Sequence, residues 1–173
     1  GVGAEAASDV WVAARDGDRK PMPCLVRPFI DAQARVSPDG RFIAYTSDES
    51  GRPEVYVRAT PPGRQREKLS IDGGTNPQWR ADGKEIFYVA PDGKMMAVAI
   101  AFAGGVPVVK LPVPLFQAYL ATGTNVIGNK PQYAVSRDGR FLLNVAVESA
   151  SAPIVVSIVT SSPNRVGMRK RAR

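Results

Sequence analysis

An all-β chain of repeated antiparallel units is what the sequence predicts, and three observations carry the prediction. Short runs rich in β-branched and aromatic residues, such as Arg41-Phe42-Ile43-Ala44-Tyr45-Thr46, are bounded by turn residues and are too short for stable helices. A Pro/Ala/Arg-Asp-Gly turn leads into such a run at Asp39-Gly40, Asp82-Gly83 and Asp138-Gly139. The first two turns lie 43 residues apart and the next two 56 apart, and a period of about forty to forty-five residues with about four short strands per unit marks propeller blades. The 173 residues therefore read as a partial β-propeller of about three and a half antiparallel blades.

The elements follow in order. Residues 1–8 are a tail, and GVGAEAA has neither the apolar core nor the basic start of a signal peptide. Ser8 to Ala14 is a strand with Val10 and Val12 on one side and Trp11 on the other; Asp16-Gly17-Asp18 turns it toward Met22 to Val26, so 9–28 supplies the outer half of a blade. In the second blade, 33–69, Pro38 fixes φ while Asp39 and Gly40 close a tight hairpin between 34–37 and 41–46. Glu54 to Arg58 is its third strand. The polar run Arg64 to Lys68 protects its outer edge. The third blade, 76–116, puts Trp79 in the place of Val36 and carries a second hairpin at Asp92-Gly93. Its apolar run Met95 to Phe102 is too short to cross a bilayer and reads as a buried strand. The wider second spacing implies an insertion between Ala103 and Lys130, with Tyr119 to Asn129 placed over or beneath a channel mouth. The fourth blade, 131–160, ends on the apolar strand Pro153 to Val159, and 161–173 is a basic tail.

The segments SPDGRFIAYTSDESGRPEVYVR at 37–58 and DGGTNPQWRADGKEIFYVAPDGKMMAV at 72–98 resemble the TolB-like β-propeller repeat. They look like the C-terminal blades of propellers attached to bacterial serine/threonine kinases or found alone. The resemblance spans nearly all of 9–160 and implies a bacterial repeat fold whose motif residues are structural. Propellers close with about four to eight blades. Three fuller blades and a half blade therefore imply either a piece of a larger ring or two chains completing one ring by self-association.

The net charge of +7 is concentrated at one end: Arg165, Arg169, Lys170, Arg171 and Arg173 fall in the last ten residues, which hold no acid. The body is nearly neutral and carries no nucleic-acid-binding signature, so nucleic acid is not the expected partner. No membrane span is expected either, and the chain reads as soluble, in the cytoplasm or the periplasm. The single Cys24 excludes an internal disulfide and reads as a small buried hydrophobe, with Arg19 and Lys20 nearby. Histidine is absent, which removes Ser-His-Asp and Cys-His catalysis and imidazole zinc sites from this chain.

What chemistry remains is carried by carboxylates and amides. Asp39, Asp82, Asp92 and Asp138 are explained by turn formation. Asp48, Glu49, Glu54 and Asp72 are the candidate catalytic groups, whose carboxylates could serve a hydrolase or hold calcium; no DxDxDG loop accompanies them, and no cofactor is expected. The repeats align Gln33, Asn76 and Gln132 at the start of each innermost strand, with Arg35 and Gln78 close behind. These five are the candidate ligand-binding residues, since a ring of amides can hold a polar ligand or a peptide, or else satisfy backbone groups there. Two readings follow. One is a non-catalytic propeller module that binds a protein, peptide or small polar ligand; the other is a small carboxylate-dependent hydrolase acting on a glycosidic or lactone bond.

Overall fold

A computed structural model describes residues 9–60, 65–121, 131–145 and, for backbone alone, 158–160. They form fourteen strands in four antiparallel sheets, and among the described residues there is no helix. The first sheet pairs β1 (Val10–Val12) with β2 (Met22–Leu25). The second runs β3 (Asp31–Val36), β4 (Phe42–Ser47), β5 (Glu54–Ala59) and β6 (Arg66–Lys68) in chain order. The third begins with β7 (Thr75–Trp79), β8 (Glu85–Val89) and β9 (Lys94–Ala103). Along the free edge of β9 lie two segments in line, β10 (Val106–Val109) and β11 (Val113–Gln117). The fourth sheet orders β12 (Tyr133–Val135), β13 (Arg140–Leu143) and β14 (Ile158–Thr160).

The hairpins form for the reason the sequence suggests. Gly40, Gly83, Gly93 and Gly139 all have φ between 71° and 82°, and each amide bonds the carbonyl three residues back at 2.9–3.0 Å. The preceding aspartate braces the turn. Asp39, Asp82 and Asp92 each accept the amide two residues on, at 3.0–3.1 Å, and Asp138 accepts from Ser136 Oγ.

Strand alternation then stacks the sheets in series. In β4, Ile43 and Tyr45 face Cys24 and Leu25 of the first sheet, while Phe42 and Ala44 face Ile86 and Tyr88 of the third. In β8, Ile86 and Tyr88 face the second sheet, and Phe87 and Val89 face Tyr133, Phe141 and Leu143 of the fourth. Both central strands are thus covered on two faces, which is why FIAYTS and EIFYV lack the polar alternation of a half-solvated strand. Phe42 stacks on Phe102 across one boundary, and Phe87 meets Phe141 edge-on across the next.

Cys24 is buried and free, and burial pushes its thiol up, with the Arg58 charge pulling the other way. The expected strand Pro153 to Val159 is described only at its end, where β14 pairs with β13. The tails 1–8 and 161–173, and 122–129 of the segment placed at the mouth, lie outside the described residues. Among the described residues no helix is long and apolar enough to cross a membrane.

Candidate functional site

The first strands of the sheets carry a polar layer. β3 and β7 each lose register near their start, between Ala32 and Arg35 and between Thr75 and Gln78, and in each bulge a non-glycine residue takes the left-handed region: Gln33 at φ 55° and Asn76 at φ 57°. Such backbone costs about 1–3 kcal/mol and persists only where neighbours over-determine it. Here the neighbours are the adjacent sheets. Gln33 Oε1 accepts the Asn76 amide at 2.7 Å and Thr46 Oγ1 at 2.8 Å. The Tyr133 hydroxyl donates to the Asn76 carbonyl at 2.8 Å, and Trp79 Nε1 donates to the Arg35 carbonyl at 2.9 Å. Three successive sheets are therefore joined through their first strands.

Of the five residues that the repeat alignment selects, Gln33, Arg35 and Asn76 meet in this layer. Gln33 is 7% exposed, and among the described residues its Nε2 has no hydrogen-bond partner. Arg35 is half-buried and donates to the Ala34 carbonyl, and among the described residues it forms no ion pair. Its cation lies near enough to act on the Tyr133 phenol, which burial pushes well above its ordinary value and Arg35 partly draws back. Gln78 is half-buried opposite Phe87. Gln132 is buried, and unlike Gln33 and Asn76 it is not among the residues with left-handed backbone; it lines an open hollow of about 300 Å³ with Tyr133, Leu142 and Asn144.

The four candidate catalytic carboxylates separate into two latches. At the first, Arg27 holds Asp31 with both oxygens engaged, at 2.7 and 3.1 Å, and also bonds Glu49. Arg66 Nε approaches Glu49 Oε1 to 2.8 Å, and Asp48 accepts the Ile30 amide at 2.8 Å. The Arg27 guanidinium lies 5.7 Å from the Tyr45 ring centroid. Burial opposes its charge, but the Asp31 hydrogen bond and the surrounding charges hold it above the ordinary arginine range. This cluster ties the connection 27–31 to the β4–β5 turn.

The second latch centres on Glu54, which is fully buried. It accepts from Arg52 Nε at 2.9 Å, from Ser70 Oγ and from the Gly73 amide at 3.0 Å, with Lys68 Nζ at 3.6 Å. Asp72 stays at the surface, 3.6 Å from Arg52. The glycines beside it are required by space: a Cβ on Gly74 would stand 2.7 Å from the Tyr88 ring, and Gly73 has φ 102° with Pro91 equally close. This latch fastens the connection from β6 to β7. Sequence reasoning missed Arg27, Asp31, Ser70 and Tyr133. A signal existed for Asp31, an acid at the start of a strand run that closely follows Arg27-Pro28.

No family model matches the chain. It is similar to Tricorn protease homolog 1 of Streptomyces coelicolor (strain ATCC BAA-471 / A3(2) / M145), being 37% identical over 82 residues. The match takes in 46% of this chain but only 8% of that protein, so the chain spans a small fraction of the relative it matches.

Proposed function

We propose that the chain is a non-catalytic β-propeller module that binds a peptide or small polar ligand at a mouth framed by β3, β7 and β12. The observation that carries this reading is the contrast between two sets of polar groups. Glu54 is fully buried and committed to Arg52, Ser70 and the Gly73 amide, and Glu49 is ion-paired to Arg27 and Arg66, whereas in the inner layer, among the described residues, Gln33 Nε2 has no hydrogen-bond partner and the Arg35 guanidinium has no carboxylate. Glu54 serves to fix Arg52, Ser70 and the Gly73 amide, which is the use of a structural carboxylate. The serial stacking of four sheets through alternating strand faces supports blade geometry.

Hydrogen exchange in the presence of a degenerate pool of blocked peptides tests it. Deuterium uptake is expected to fall at 31–36 and 75–79 and to stay unchanged at β6 and β11. Protection at β6 or β11 instead would move binding to the outer edges and refute the mouth. Chromogenic glycosides and lactones are expected to show no turnover, and turnover abolished by Glu49→Gln or Glu54→Gln would establish the hydrolase.

A further inference from the structure

The orientation of the Gln33 carboxamide is fixed by its own partners. Two donors, the Asn76 amide and the Thr46 hydroxyl, converge on Oε1, and turning the group over would set an NH2 against the Asn76 N–H. The nitrogen is therefore Nε2, with two N–H groups and no acceptor among the described residues, on a residue only 7% exposed. A donor held dry in a strained, bulged backbone calls for an acceptor from outside.

Beyond the bulge, two positions along β3, stands Arg35. Arg27 is comparably buried, but Asp31 and Glu49 neutralise it, while Arg35 has no carboxylate partner among the described residues. Its carbonyl is held by Trp79, and its charge is felt at Tyr133. One guanidinium fork and one neutral NH2 match a group of single negative charge with two coplanar oxygens. A phosphate monoester, with more charge and a third oxygen, would need a second cation or a nest of backbone amides.

We propose that Gln33 Nε2 and the Arg35 guanidinium form a carboxylate-binding site in the inner layer. Resting on the mouth reading above, this makes the ligand one that presents a free carboxylate, either a peptide terminus or a small organic acid. Trp79 is the reporter, since its indole N–H bonds the Arg35 carbonyl; replacing the exposed Trp11 by Phe leaves Trp79 as the sole tryptophan.

Three probes are titrated against its fluorescence: acetyl-Gly-Ala-Ala as the free acid, the same peptide as its C-terminal amide, and glutarate. The free acid is expected to bind at least tenfold tighter than the amide. Gln33→Glu keeps the acceptor oxygen for Asn76 and Thr46 but removes the donors, and it is expected to lose at least tenfold; Arg35→Met is expected to do the same. Glutarate binding as tightly as the peptide acid identifies a small-acid ligand, and peptide binding alone identifies a chain terminus; either supports the site. Equal binding of acid and amide, or Arg35→Met binding like the parent, overturns the carboxylate inference and leaves the mouth reading intact. No binding by any probe also overturns it, and the peptide-pool exchange experiment then judges the mouth separately. Should Gln33→Glu fail to fold, the half-buried Arg35→Met decides.

Discussion

Asp39 accepts from Ser37 Oγ, from the Arg41 guanidinium and from the Arg41 amide, and these contacts bring its carboxyl down to about 2. Because the folded value lies below the ordinary one, the contribution to stability is complete above about pH 4 and is lost as pH falls toward 2. The side chain is 42% exposed, so the effect is that of a surface pair, below about 1 kcal/mol. Thermal unfolding of Asp39→Asn is expected to lie slightly below the parent at pH 7 and to converge with it between pH 4 and 2; a gap that persists at pH 2 would contradict this. Glu54 makes the opposite case, that of a buried carboxylate. Glu54→Gln is expected to cost about 1–3 kcal/mol in urea unfolding, because one charged acceptor serves Arg52, Ser70 and the Gly73 amide. A variant of unchanged or raised stability would mark the residue as functional rather than structural.

Turns and inner strands behave differently as elements. Each Asp-Gly hairpin is local, so its geometry could be read from two or three adjacent residues, and so could the strand that follows. The bulges at Gln33 and Asn76 could not, because their left-handed backbone is held by groups 43 and 57 residues away in sequence. The repeat alignment found the positions and their amide character, but it did not show that Gln33 Oε1 is spent on the next sheet while Nε2 remains. The carboxylates were likewise visible as a cluster, yet their division into two latches depends on Arg27 and Ser70, which no motif marks. Two element-level outcomes follow. Tyr133→Phe is expected to cost about 1–2 kcal/mol by stranding the buried Asn76 carbonyl. Gly74→Ala is expected to cost about 1–3 kcal/mol through collision with Tyr88, and a neutral result in either denaturation curve would refute the contact concerned.

At the scale of the whole molecule, the second and third sheets act as one body. Phe42, Ala44, Val55 and Val57 of the second sheet share a cluster with Ile86, Tyr88, Val98 and Ile100 of the third, and the first strands are bonded across the same boundary. A mouth built on such a layer is rigid only if neither sheet opens alone. Native-state hydrogen exchange in rising urea tests this most directly, by comparing the amides of β4–β5 with those of β8–β9. The account predicts that both sets merge into one opening transition of equal free energy. Separate transitions, with either sheet exchanging several kcal/mol below the other, would contradict it.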